Sequence, residues 1–457
     1  MPLLPSITWR LEQEARALLT RLAHVQPFAV HEPMLPAAAL LPEAQIAIER
    51  FLVGGRRHLR TVADGFIEWL HSPQSAEVDA EEGQRRLTTL RLRFNRVLTH
   101  FDLFDNVITQ RSESNTGVWL SGMDDIAADA LRLKGGYYKI PPIICYLDRG
   151  IGGAIRRART RLPGGGANPV AIIKIPRERM VGSGIGASLL HEVGHQAAAL
   201  LGLVESLRPV LQRKVQEVGA EAIVWRLWER WISEIVADLW AVARGGVGST
   251  LGLINVVSLP RPFVFRVNPD DPHPVPWIRV KLSAALGAAI YPQSAWVQIV
   301  AMWESCYPIA DLDPTRRNIL ARLENTIPEL VRMLLSHRPD SFCGQRLIDS
   351  LDTKELQPLR LRMLLRRWRS TPQEMYRARP IVAFAAIGQG RADGNISPEE
   401  ESTVIGKLLA FWALRTTLAG AATCSSPSLA GESTYDPYSV ENGQVQRPGV
   451  TLCKTSM

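Results

Sequence analysis

The sequence predicts an α+β fold that is predominantly helical with a small β-sheet, and three observations carry that expectation. Long stretches towards both ends repeat apolar residues at helical spacing. Two short runs, Pro142–Leu147 and Pro169–Ile175, are apolar and β-rich and are bracketed by proline or aspartate, as buried strands are. Ser183–Leu200 comes next, rich in alanine and leucine, with Ser183 as the expected N-cap and His191-Glu192-Val193-Gly194-His195 at its centre. With 46% hydrophobic and 21% charged residues the chain is globular, and 457 residues suffice for several domains.

In chain order, helices are expected over Glu12–Val25, Glu43–Leu70 and Gln84–Phe101, separated by Pro27–Pro42 and His71–Ser75. His24, His31, His58, His71 and His100 show no paired spacing and read as surface or helix-end residues. Trp119–Leu133 reads as a further helix. Between the two strands, Gly152–Leu162 places Arg156, Arg157, Arg159 and Arg161 among small and apolar residues, which predicts a basic amphipathic helix closed by Pro163 and three glycines. The edge of the second strand is expected to be open to an extended peptide. Beyond Cys306 the pattern is helical again, and Arg360–Arg369 reads as the solvated face of an amphipathic helix. Asp393-Gly394-Asn395-Ile396 is similar to the second half of a calcium loop, but Gln389 and Arg391 stand where carboxylates are needed. A helix capped by Ser397 with Pro398 in its first turn explains that segment. The expected organisation is an N-terminal helical domain (1–115), a central domain holding the motif (116–310), a C-terminal helical domain (311–418) and a disordered tail (419–457) rich in Ser, Gly, Thr and Pro.

Several function classes are set aside. No stretch reaches the roughly 20 apolar residues that span a bilayer. The N-terminus lacks a basic start followed by an apolar core, so no secretory signal is read and a cytoplasmic location is expected. Five cysteines without C-x-x-C spacing fit a reducing compartment and offer no thiolate metal site. The net charge of +8 invites a nucleic-acid reading, but no recognition helix, RNA-binding sheet or zinc finger accompanies it.

The chemistry concentrates in three segments. Four residues is about one helical turn, so His191 and His195 project from one face and can bind a single metal ion, zinc being the expected one. Glu192 then stands beside that ion, where a carboxylate can take the proton of the attacking water. A catalytic zinc needs a third protein ligand and an open position. Trp228–Val242 is strongly apolar yet carries Glu234 and Asp238 one turn apart, and buried carboxylates are costly unless paired or metal-bound. Glu234 as third ligand and Asp238 as acceptor for a ligand histidine's other ring N–H would satisfy both. The alternative is that the two carboxylates face solvent as helical ion pairs with Arg226 and Arg230. Finally, the proline-rich Asp270–Pro276 loop holds His273, and Arg279 lies in the next helix. His273 and Arg279 there can aim positive charge at a developing oxyanion as members of the catalytic set; alternatively His273 merely caps the helix while Arg279 pairs with a carboxylate.

His-Glu-x-x-His at 191–195, then Glu234 with Ala237 and Asp238, then His273, Pro274 and Arg279, in that order, resembles the gluzincin peptidases. It is closest to the prenyl-protein (CAAX) endopeptidases and their bacterial heat-shock relatives, over roughly residues 139–285. The resemblance implies a zincin-like core, one zinc at His191, His195 and Glu234, and Glu192 as general base. Those relatives are largely membrane-embedded, whereas this chain reads as a soluble one, which leaves the substrate class open. The expected function is that of a zinc-dependent endopeptidase acting on a peptide or protein substrate. A catalytically silent zincin-like scaffold is the alternative, against which the intact Glu192 argues.

Overall fold

In the computed structural model, residues 4–25, 34–150, 152–163, 165–177, 182–268 and 270–424 are described. Helices dominate, and the strands β1 (Ile143–Asp148), β2 (Ala154–Arg156) and β3 (Ala171–Pro176) form one sheet in the order β1-β3-β2. Among the described residues no helix is long and apolar enough to cross a membrane.

The chain forms two compact units. The first gathers Met1–Val118, Arg156–Ala171 and the described residues from Thr416 onward. The second gathers Trp119–Ile155 and Ile172–Arg415. Of the segment 311–418, expected as a separate C-terminal domain, residues up to Arg415 are instead part of the motif-bearing unit. The reason is packing: helix Pro380–Ala392 buries nearly its whole length, Ile381–Gly390. At one crossing Gly248 and Gly388 leave no room for a Cβ on either side.

The first unit is built on three helices, Pro5–His24, Pro42–Leu70 and Ala80–Ile108. Their buried residues follow the spacing the sequence showed, as in Ala44, Ile48, Phe51, Leu52, Leu59 and Ala63. The third begins earlier than expected, because Asp79 caps it by accepting from the Glu82 N–H at 2.9 Å. His100, read as a surface residue, is buried and its Nε2 lies 2.7 Å from the Pro163 carbonyl.

Both expected strands are present, with Ile143, Ile144, Ile172 and Ile173 fully buried. The expected basic helix over Gly152–Leu162 is not. Ala154–Arg156 pairs as a strand, and the residues after it form a hairpin turn with an antiparallel bridge between Arg161 and Ala167. Two glycines at the start of the segment are poor helix formers, and sheet pairing outweighs a weak helical pattern. Consequently β3 is the central strand, and the edge expected along it is supplied by β2 instead.

The motif helix spans Ser183–Leu201, and its N-cap is Gly182 at φ 99°, not Ser183. That left-handed backbone is open to glycine and strained for serine. Ser397 does cap its helix: Glu400 N–H reaches its Oγ at 3.2 Å while the Glu400 carboxylate accepts from the Ser397 N–H at 2.9 Å. Asp393 is bound by Arg362 through two contacts of 2.7 Å. Residues 419–424, expected in the tail, continue helix Pro398–Cys424; the tail from 425, like His31, lies outside the described residues. Cys145 and Cys306 are free thiols, whereas Cys343 is disulfide-bonded, which does not accord with the expected reducing compartment.

Candidate metal centre

The motif helix is crossed by the carboxylate helix, Ala222–Gly245, and the crossing is close because of one residue. A Cβ on Gly194 would stand 2.8 Å from both Cα and O of Ala237 and 2.9 Å from the Trp240 Cβ. A glycine inside a helix costs about 1 kcal/mol relative to alanine; here that cost permits backbone-to-backbone packing. The contact sets His191 and His195 over Glu234 and Asp238. Gly194 was visible in the motif, but its role depends on what it packs against. Gly194→Ala is therefore expected to weaken metal binding and to destabilise by about 1–3 kcal/mol, as overpacked cores do. Metal titration and denaturant unfolding read the two effects, and a variant matching wild type in both would show that the crossing yields freely.

His191, His195 and Glu234 each present one ligand atom, and these atoms lie within 4.8 Å of one another. This group can bind a metal ion. Glu234 Oε2 lies 3.1 Å from His191 Nε2, and Oε1 lies 3.4 Å from His195 Nε2. Ligands about 2.0–2.1 Å from a tetrahedral ion stand roughly 3.3 Å apart along the tetrahedron's edge, so the spacing suits such an ion. Glu234 is buried, and its Oε2 accepts no hydrogen bond from any described residue. A buried carboxylate beside two imidazoles, with one oxygen that accepts no hydrogen bond, is a donor set that suits a metal ion.

Asp238 supports the site from behind. Its Oδ1 is 2.8 Å from His191 Nδ1, which fixes the tautomer that leaves Nε2 as the donor to a metal. Arg279 grips the same carboxylate twice, Nε to Oδ2 at 2.7 Å and Nη2 to Oδ1 at 2.9 Å. All three groups are largely buried. Arg279, read as a member of the catalytic set, is instead found in the alternative arrangement, paired with a carboxylate, because Asp238 takes its guanidinium on two edges; the solvent-facing alternative for Glu234 and Asp238 is not found. Arg230 instead donates to the Asp270 carbonyl at 2.9 Å, and Trp231 Nε1 to that of Asp271 at 3.2 Å. These bonds tie the proline-rich loop to the carboxylate helix.

The electrostatics follow from the burial. Burial pushes the His191 imidazole down, but the Asp238 and Glu234 carboxylates override it and raise its pKa to about 9. Burial raises Asp238, and the Arg279 charge with the His191 bond brings it down to about 2. Glu234 is likewise pushed up by burial and held well below the usual carboxylate range by the two histidines. Glu192 goes the other way: its burial outweighs the attraction of His191 and His195, and its pKa is raised.

Glu192 and His273 face a cavity of about 120 Å³ that is also lined by His191, Asp238, Arg279 and the apolar Val242 and Leu253. A Cβ on Gly153, just before β2, would stand 2.8 Å from Glu192 Oε1. The start of the edge strand therefore borders the Glu192 carboxylate, a relation that the sequence reading missed because it placed Gly153 in a helix. His273 is half-exposed, with Nε2 3.4 Å from Glu234 Oε2. Its Nδ1 and its backbone N–H both lie 2.9 Å from Asp271 Oδ1, which turns Nε2 towards the site. All seven residues singled out in the sequence (His191, Glu192, His195, Glu234, Asp238, His273 and Arg279) thus come together in one unit. Comparison with protein-family models, with curated proteins and with solved structures found no match.

Proposed function

We propose that this chain is a zinc-dependent endopeptidase with a zincin-like core, and that His191, His195 and Glu234 hold one zinc ion. The observation that carries the reading is the convergence of His191, His195 and the buried Glu234 carboxylate on one point, with a second carboxylate, Glu192, outside the ligand group beside them. Zinc in such a site polarises a scissile carbonyl and makes its water acidic near neutral pH.

The protein's own groups then have distinct tasks. Glu192 takes the proton of the attacking water and delivers it to the leaving amine; a carboxylate with a raised pKa suits both transfers. His273, held through Nδ1 by Asp271, can offer Nε2–H to the oxygen on which negative charge develops when its imidazole carries a proton on both nitrogens. Arg279 and Asp238 act through His191, keeping its ring in the ligating tautomer. The open edge of β2 can pair with an extended peptide, and Gly153 lets that strand come close to Glu192. Nothing in this division of labour requires a membrane-embedded substrate.

Metal and activity test the reading together. Protein purified without chelator is expected to hold about one zinc per chain and to cleave members of a broad peptide library. Chelation should abolish cleavage and added zinc should restore it. Wild-type protein that binds no zinc would overturn the metal assignment; zinc-loaded protein that cleaves nothing would leave a scaffold. His273→Ala should lower kcat more than it raises KM, by about 2.7–4 kcal/mol in activation free energy if it resembles removal of other oxyanion donors. An unchanged kcat would remove His273 from the chemistry and leave the three ligands standing.

A further inference from the structure

The first unit contains a second cavity, of about 730 Å³, between helices Pro42–Leu70 and Ala80–Ile108 and the hairpin after β2. Arg93 and Arg96 reach it from the helix, and Arg159 and Arg161 from the hairpin. No carboxylate lines it, and all four arginines are exposed. Their guanidinium groups make no ion pair with any described residue. Four like charges lining one cleft give it a positive potential that favours an anion there, most strongly at low ionic strength.

The hairpin is held in the shape that brings its arginines there. Arg159 has φ 65°, a left-handed conformation rare for a side chain other than glycine. The buried Asn168 enforces it. Its carbonyl accepts from the Arg159 N–H at 2.8 Å, its N–H donates to Thr160 O at 2.8 Å, and its side-chain amide reaches the Arg156 and Arg157 carbonyls at 3.1 and 3.3 Å. His100 ties the far end of the hairpin to the helix through Pro163. A tolerant surface loop needs neither a buried clamp nor a strained arginine.

We propose that this cleft binds a compact polyphosphate, the phosphate chain being gripped by Arg93, Arg96, Arg159 and Arg161. Guanidinium groups match phosphate oxygens bidentately, and a cleft of this volume suits a small ligand. No Phe, Tyr or Trp lines it, only the imidazoles of His58 and His100, so it lacks the large aromatic platform on which single-stranded nucleic acid stacks its bases. The inference is independent of the peptidase reading, since it uses no residue of the metal centre.

Calorimetric titration of the full-length protein with inorganic triphosphate, at low ionic strength, tests it. One saturable site per chain is expected. Arg159→Gly removes the guanidinium while keeping, and easing, the left-handed backbone, so it should weaken binding without lowering thermal stability. Arg96→Ala should do the same on a surface the hairpin clamp does not involve. Each loss should be about 10-fold or more, the scale of one charge-assisted hydrogen bond. Arg360→Ala with Arg366→Ala, which removes exposed charge elsewhere, should leave affinity unchanged. Absence of saturable binding, or equal losses in the cleft and the distant variants, would overturn the proposal. So would tighter binding of a single-stranded oligonucleotide that is lost in the same variants.

Discussion

Glu192→Gln is expected to lower kcat/KM for peptide cleavage by about 100-fold or more while leaving the zinc in place, because general bases contribute roughly 10²–10⁴. The substitution keeps the side chain's shape and its fit against Gly153, whose Cβ position is only 2.8 Å from Glu192 Oε1. It removes only the capacity to hold a proton. The side chain contributes no atom to the three-residue ligand group, so metal content should match wild type. Measuring metal and turnover on the same preparation separates loss of the base from loss of the site. Equal cleavage by the two proteins would refute the assignment of Glu192 as base.

Asp238→Ala should be the most destabilising single change around the metal centre. Arg279 is buried with its guanidinium turned onto Asp238. Removing one partner of a buried ion pair strands the other, at a cost of about 3–5 kcal/mol. The His191 ring loses its Nδ1 acceptor in the same step, so metal affinity should fall by about 10–100-fold. Trp225, Trp228, Trp231 and Trp240 are fully buried along the same helix, so tryptophan fluorescence in a denaturant titration follows the relevant unit. A loss below about 1 kcal/mol with unchanged metal affinity would be too small for a stranded charge and would show that water or another group replaces Asp238. Asp238→Asn, which keeps an acceptor for His191 and loses the charge, should fall between the two.

How much of this could be read in the sequence depended on how far apart the partners lie. His191, Glu192 and His195 were legible because helix geometry alone relates positions one turn apart. The helices of both units were legible for the same reason, since burial recurs at the period of a helix. Glu234 and Asp238 were legible one step less directly: carboxylates in an apolar helix demand a partner, but the demand does not say which. Their convergence on His191, and the double grip of Arg279 on Asp238, were decided by the crossing of two helices and a proline-rich loop. Gly194 and Gly153 are silent in a sequence because their contribution is the absence of a Cβ, and that matters only once a neighbouring backbone or carboxylate fills the space. The basic segment between the strands meets the same limit. Gly152–Leu162 has a helical alternation of arginines and small residues, yet β3 offers it a strand partner and Asn168 clamps residues 156–168 into a hairpin. Local periodicity therefore determined which residues share a face, while tertiary packing decided what each face meets, because pairing and close contact depend on residues far away in the chain.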